Sequence, residues 1–298
     1  MNERDVFSSY HPAVNFLYFG SILAFAMISM HPVCLVISLV CAVAYYVMLK
    51  GAKATRLLLR GALPLFLVTL IINPAFSHGG VTILTYLPSG NPLTLESIIY
   101  GISAAFMMTS ILIWFACFTE VMTSDKFVYL FGKIVPAFSL ILSMTLRFVP
   151  RFISQFGIVR DVQRTMGRDT TDGKVLYRLK NAIACFSITV TWSMENAIET
   201  ADSMKSRGYG TKRRTAYSIY HWNDRDKIAF IFVIFCALTL LAGGLAGKLS
   251  WKYFPSIGGS LIDPITIFLE VILLALMIMP VFLEKRENHT WNYLRSNI

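Results

Sequence analysis

Residues 6–49, VFSSYHPAVNFLYFGSILAFAMISMHPVCLVISLVCAVAYYVML, contain no Asp, Glu, Lys or Arg over 44 positions. One helix needs about 20 apolar residues to cross a bilayer, so this run is long enough for two spans. The break between them is placed at His31-Pro32, because proline lacks a backbone donor and disfavours a helical residue before it. The sequence therefore predicts helices at 13–30 and 33–49.

Further apolar stretches bring the predicted number of membrane spans to six. They lie at 57–76, 95–119, 228–247 and 264–283. The first of them carries Pro64 and Pro74, which leaves open whether it spans the bilayer or lies obliquely. The predicted fold class is all-α: a polytopic membrane protein with about six transmembrane helices, four in 1–119 and two in 228–298, and a cytoplasmic region of coupling helices at 120–227.

Composition and charge support this organisation. Hydrophobic residues make up 55% of the 298 residues and charged residues 15%, whereas soluble domains carry about 25% charge. Of the 27 Lys and Arg residues, 17 lie in 119–227. Because basic loops stay inside, this region and both termini are predicted to be cytoplasmic, with the protein in the cell membrane. The net charge of +10 is accounted for by membrane topology, and no nucleic-acid partner is predicted.

The sequence lacks the motifs of the common catalytic sites. It contains no phosphate-binding GxxxxGK[ST] loop, no HExxH and no GxSxG, so a non-catalytic protein without a cofactor is predicted. The five Cys residues lie in apolar stretches without paired spacing, the five His residues are scattered, and no metal site is predicted. Glu270 lies inside a predicted span, where an ionisable group can mark an ion pathway. The favoured interpretation is an interfacial carboxylate near the membrane edge.

The central region has a different pattern. Residues 126–156 are mostly apolar but include Arg147 and Arg151. Since an arginine at mid-bilayer costs about 2.5–3.5 kcal/mol on the insertion scale, an amphipathic or partly embedded helix is favoured there over a membrane span. A turn is predicted at the DTTDG cluster, 169–173, and a second long helix at 179–206.

This second helix has two distinct faces. Its polar face carries Glu195, Glu199 and Asp202, and ordinary solvation is the favoured interpretation of that face. Another face carries Ala197, Ala201 and Met204 at helical spacing. The two alanines form a small-xxx-small pair that would let another helix approach the backbone. The helix is predicted to end at Gly208, which suits the left-handed position after a helix.

Three strings resemble one known family. YHPAVNFLYF (10–19), DKFVYLFGKIVPAFSLILSMTLRFVPRF (125–152) and MENAIETADSMKSRGYG (194–210) look like the transmembrane T component of energy-coupling factor (ECF) transporters, the group that includes the cobalt-uptake membrane subunit. The resemblance runs from about residue 10 to 247. It implies a scaffold that joins two ABC-type ATPase subunits to a substrate-capturing membrane protein, the S component, for uptake of a vitamin or a metal ion.

The resemblance also implies two X-Arg-X motifs that dock into the ATPases. Ser206-Arg207-Gly208 matches the second motif. The first motif falls in DVQRTMGRD, with Met166 where the arginine is expected; its candidate docking residues are Arg164, Thr165, Met166, Gly167 and Arg168. Either a flanking arginine supplies the charge, or this docking site is mainly apolar and the flexible Met166 fills a pocket.

Two alternatives remain open at the level of the sequence. Arg207 could serve only to neutralise carbonyl groups at a helix C-terminus, which is worth about 0.3–1 kcal/mol. The whole chain could also be a self-sufficient secondary transporter, although the broken, paired spans of such carriers are largely missing.

Overall fold

The computed structural model describes residues 6–77, 79–86, 92–132, 135–168, 174–209, 220–259 and 263–296. The chain forms two units, Met1–Thr123 with Tyr220–Ile298, and Ser124–Ile219. In chain order the elements are α1 (Pro12–Ile28), α2 (Pro32–Lys50), α3 (Ala54–Leu57), α4 (Leu63–Phe76), β1 (Ile83–Tyr86), β2 (Pro92–Thr94), α5 (Leu95–Val121), α6 (Ser124–Gly132), α7 (Pro136–Thr165), α8 (Val175–Ser206), α9 (Asp224–Leu245) and α10 (Pro264–Ser296). The two strands form an antiparallel hairpin.

The predicted all-α, multi-pass fold is confirmed, with six apolar helices among the described residues: α1, α2, α4, α5, α9 and α10. Four helical stretches of this part of the chain are long and apolar enough to cross a membrane, Pro32–Phe76, Leu95–Val121, Asp224–Leu245 and Pro264–Glu287, and α1 is a shorter apolar helix. The continuous stretch Pro32–Phe76 has 45 residues, about 68 Å at 1.5 Å per residue, which is twice the thickness of the hydrocarbon layer. Gly51, at φ +54°, ends α2, and short 3₁₀ and π-helical turns lead on to α4. The stretch therefore supplies two apolar helices.

The predicted break at His31-Pro32 is confirmed, since α1 ends at Ile28 and α2 begins at Pro32. Proline also occupies the first turn of α1, where its missing backbone N–H removes no helical hydrogen bond. Two helices were predicted too short, at 179–206 and 264–283. Helix α10 continues to Ser296, because the backbone hydrogen bonds of a helix continue through polar residues where the apolar pattern stops. Helix α8 begins at Val175, because Val175, Leu176 and Tyr177 extend its apolar pattern ahead of the predicted start.

The core of the first unit is aromatic. The Trp114 ring, from α5, is fully buried, and the rings of Tyr18, Phe19 and Tyr45 lie 6.3–6.4 Å from it. Its indole N–H donates to Ser38 Oγ at 3.2 Å, so the one polar atom of the ring is satisfied inside the core. These contacts pack α1, α2 and α5 against one another.

The second unit is built around the long helices α7 and α8. The Phe152 and Trp192 rings are 6.1 Å apart and meet edge to face, and the Tyr177 hydroxyl donates to the carbonyl of Gly167 at 3.3 Å. Moving forward along α7 therefore means moving backward along α8, so the two helices pack as an antiparallel hairpin. The predicted turn at 169–173 lies outside the described residues.

Candidate functional site

Helix α8 ends in a Schellman motif. The backbone N–H of Gly208 donates to the carbonyl of Lys205 at 3.0 Å, and that of Tyr209 donates to the carbonyl of Met204 at 3.0 Å. Gly208 has φ +79°, the left-handed conformation that glycine adopts most readily. The predicted helix end is confirmed, and Arg207 is the residue at the C-cap.

Helix α7 ends in the same way. The N–H of Gly167 donates to the carbonyl of Arg164 at 3.0 Å, and the N–H of Arg168 donates to the carbonyl of Gln163 at 3.0 Å. Gly167 has φ +75°. Met166 is the C-cap residue of this helix, so it holds the position at the end of α7 that Arg207 holds at the end of α8.

The agreement extends to the backbone angles and to the preceding side chain. Met166 has φ −84° and ψ 9°, and Arg207 has φ −83° and ψ 7°. The Thr165 hydroxyl donates to the carbonyl of Val162 at 2.7 Å, and the Ser206 hydroxyl donates to the carbonyl of Ser203 at 2.9 Å. The two ends are thus one local structure built twice, with a thioether in one copy and a guanidinium in the other.

Both ends present their side chains to the outside of this chain. Arg164, Thr165, Arg168, Ser206 and Arg207 are exposed. Met166 is 68% exposed, so its thioether is accessible to a partner. Among the described residues, no carboxylate forms an ion pair with Arg207.

The two ends lie far apart because the hairpin is antiparallel. Helices α7 and α8 have 30 and 32 residues, and their C-termini lie at opposite ends of the hairpin. Their separation is thus about one helix length, on the order of 40 Å.

The face of α8 that was predicted for helix packing is open. Ala197 and Ala201 are exposed, and Met204 is half-buried. Glu195 and Glu199 on the polar face are exposed as well. The small pair is therefore accessible to a helix of another chain.

The structure brings together three side chains that the sequence leaves far apart. His31 and Cys34 on α2 lie beside Glu270 on α10, and one ligand atom from each lies within 4.8 Å of the others. The sequence shows no metal-binding spacing for these residues, because His31 and Cys34 are separated from Glu270 by most of the chain. Two features of the sequence could have indicated this cluster: the i, i+3 spacing of His31 and Cys34, and the carboxylate of Glu270 inside a predicted span.

Comparison with known proteins identifies the family. The profile of the CbiQ family, described as cobalt transport protein, matches residues 6–217. The energy-coupling factor transporter transmembrane protein EcfT 1 of Listeria monocytogenes is 27% identical over 215 residues, which are 67% of this chain and 77% of the relative. The EcfT of Listeria innocua is 26% identical over 275 residues, 84% of this chain and 99% of that relative. The EcfT of Lactobacillus helveticus is 32% identical over 108 residues, which are 36% of this chain and 39% of that relative.

The family match covers most of the chain, including the ends of both α7 and α8. It agrees with the resemblance found in the sequence and with the six apolar helices. The chain therefore belongs to the CbiQ family and is a transmembrane T component of an energy-coupling factor transporter.

Proposed function

We propose that this chain couples ATP binding and hydrolysis in two ABC-type ATPase subunits to a substrate-binding S component, for uptake of a vitamin or a metal ion. The chain itself catalyses no reaction in this proposal. The observation that carries it is the repeated helix end, in which an exposed C-cap side chain stands on a rigid Schellman turn at the end of α7 and again at the end of α8.

The distance between the two ends favours two ATPase subunits. One helix length, on the order of 40 Å, is too great for one groove but suits one end per subunit. Since a helix is stiff along its axis, a displacement imposed at one end of the hairpin would be transmitted to the rest of it. This is the mechanical property that an energy-coupling scaffold requires.

The two docking contacts would differ in chemistry. The Arg207 guanidinium can give two parallel hydrogen bonds to a carboxylate, a geometry that lysine cannot reproduce. Met166 would instead place a flexible thioether in an apolar pocket, with Arg164 and Arg168 at the rim. Unequal contacts of this kind would suit two nonidentical ATPases.

The S component would bind to apolar surface that this chain leaves uncovered. The exposed apolar side chains of α8 among the described residues include Val175, Leu176, Leu179, Ile183 and Phe186. Contiguous exposed apolar surface marks a membrane or protein contact. Ala197 and Ala201 would let a partner helix approach the α8 backbone closely.

Co-purification tests the proposed partners. The chain is extracted in mild detergent from its native membrane, and every associated chain is identified by mass spectrometry. We expect ATP-binding-cassette subunits and one small membrane protein, and nucleotide hydrolysis only when the ATPases are present. A chain that purifies without any nucleotide-binding protein and still moves substrate across a vesicle membrane would be a secondary transporter.

Cysteine labelling tests the proposed orientation, in which both termini and both docking ends are cytoplasmic. Single cysteines are introduced at Thr165, Ser206 and Ser256, all exposed positions. The five native cysteines are buried, so the unmodified chain measures the background. An impermeant maleimide added to intact cells should label only the cysteine at position 256. Labelling of the cysteine at position 165 or 206 before the cells are permeabilised would contradict the proposed cytoplasmic location of the two helix ends.

A further inference from the structure

Helices α2 and α10 bring together a nitrogen, a sulfur and an oxygen ligand in the interior of the first unit. His31 is fully buried, and Cys34 and Glu270 are 3% and 9% exposed. The imidazole Nδ1 of His31 lies 3.1 Å from Oε1 of Glu270. His31 is the N-cap residue of α2, and Cys34 lies three residues further on, in the first turn of the helix.

Three buried polar atoms of His31 and Glu270 have no hydrogen-bond partner among the described residues. They are both ring nitrogens of His31 and Oε1 of Glu270. The 3.1 Å contact between Nδ1 and Oε1 is close but does not have the angles of a hydrogen bond. Buried polar atoms in this state are rare in native proteins and call for a binding partner that the chain does not supply.

A second His-Pro pair in the same unit provides the contrast. His11 precedes Pro12 at the start of α1, and its Nδ1 accepts a hydrogen bond from the N–H of Ala13 at 3.2 Å. Its ring stacks on Trp222. His31 precedes Pro32 at the start of α2 but makes no such capping bond. The imidazole of His31 instead faces Glu270. Capping of the N-terminus of α2 therefore does not explain why a histidine is buried at this position.

We propose that His31, Cys34 and Glu270 form a binding site for a divalent transition-metal ion of borderline softness, with Zn²⁺ or Co²⁺ as the best candidates. A thiolate and an imidazole do not suit Mg²⁺ or Ca²⁺, which take oxygen ligands. In a tetrahedral zinc site, bonds of about 2.0–2.3 Å place ligand atoms roughly 3.5 Å apart. His31 Nδ1 and Glu270 Oε1 are 3.1 Å apart, and one ligand atom from each of the three residues lies within 4.8 Å of the others, so one ion could contact all three after small side-chain shifts.

The proposed ion would be a structural clamp between α2 and α10. Its ligands come from the first turn of α2 and the second turn of α10, so binding joins two helices that are distant in sequence. The Trp251 ring lies edge-on to the His31 ring, with centroids 5.4 Å apart, and helps to close the site. Three protein ligands leave the fourth tetrahedral position to a water molecule or another ligand.

Cobalt binding by the purified full chain tests this proposal without any partner protein. The metal-free chain in detergent is titrated with Co²⁺, and the thiolate-to-cobalt charge-transfer band in the near ultraviolet is recorded. We expect one equivalent to bind with this band. Cys34→Ser should abolish the band and weaken binding by more than the roughly 10- to 100-fold typical of outer-shell partners. Cys41→Ser, which changes another buried cysteine of α2, should leave both unchanged.

Two further measurements keep the proposal open to refutation if Cys34→Ser does not fold. Glu270→Gln should weaken Co²⁺ binding while retaining the thiolate band. X-ray absorption at the zinc edge of the unmodified, zinc-loaded chain should give one sulfur neighbour and a remainder of nitrogen and oxygen. Absence of stoichiometric binding, or equal bands in Cys34→Ser and Cys41→Ser, would make His31 and Glu270 a buried polar pair only. Either result leaves the ATPase-docking proposal unaffected.

Discussion

The ends of α7 and α8 have the same backbone and different chemistry. Each has a glycine in the left-handed conformation, at φ +75° and +79°, and each has the same pair of Schellman hydrogen bonds. One C-cap residue is Met166 and the other is Arg207. The comparison separates two requirements of a docking site: the turn that holds the side chain in place, and the side chain that enters the partner.

Charge reversal at Arg207 is expected to have the largest effect on uptake and on ATPase binding among the changes at the two helix ends. Arg207→Glu places a carboxylate where the proposed groove is acidic, and we expect uptake and ATPase co-purification to be lost. Lys205→Glu is the matched control, because it makes the same charge change on an exposed side chain of the last turn of α8. The Lys205→Glu variant should retain most of the uptake and most of the ATPase co-purification. Normal uptake and complex yield in Arg207→Glu would end the docking assignment.

Changes at Met166 test whether the two ends are functionally equivalent. Met166→Asp introduces a charge into an apolar contact, and we expect uptake to fall steeply while the chain remains folded. Met166→Leu should be close to the unmodified protein, and Met166→Arg should be tolerated if the groove still accepts an arginine. Uptake and ATPase yield are measured for each variant. If Met166→Asp behaves like Met166→Leu, the end of α7 is not a docking point.

Truncation at Arg207 distinguishes docking from helix capping. Arg207→Ala should weaken ATPase binding by about 2–5 kcal/mol, the range for removing one partner of a buried charged pair. Arg207→Lys should restore little, since it lacks the planar fork. If the guanidinium only neutralises helix carbonyls, Arg207→Lys would be nearly silent and the alanine variant would lose under about 1 kcal/mol of stability. Binding of the purified ATPases to each variant decides between these outcomes.

The smallest expected effect concerns the turn itself. Gly167→Ala and Gly208→Ala each force a Cβ into the left-handed region, which costs about 1–2 kcal/mol. Because the φ angles of the two glycines are nearly equal, the two variants should loosen their helix ends to the same degree. Amide hydrogen exchange in the last turn of each helix measures this. A large difference between them would show that the two turns are held by different contacts.

Much of the fold could be predicted from local sequence. The break at His31-Pro32 follows from the chemistry of proline, and the left-handed Gly208 follows from the end of the helical pattern. The predicted boundary was less accurate where apolar residues stop but the helix continues, as at the end of α10. Apolar content predicts burial, whereas the end of a helix depends on its last backbone hydrogen bonds.

The candidate site, like the fold, was predicted from the sequence only in part. The sequence by itself determined that the chain is a multi-pass helical protein, because apolar runs of this length have no stable place in water. It also determined the family and the strings in which the docking residues lie. The resemblance already placed Met166 and Arg207 at corresponding motif positions. That both are C-cap residues with nearly equal backbone angles came from the structure, because backbone angles do not follow from residue type.

Only the tertiary structure decided which distant residues meet. The antiparallel packing of α7 and α8 places the two helix ends far apart, and it depends on contacts such as Phe152 with Trp192. The proximity of His31 and Cys34 to Glu270 depends on the packing of α2 against α10. Local propensities act over a few residues, whereas contacts between distant helices result from the packing of all their side chains together, and no single stretch of the sequence contains that information.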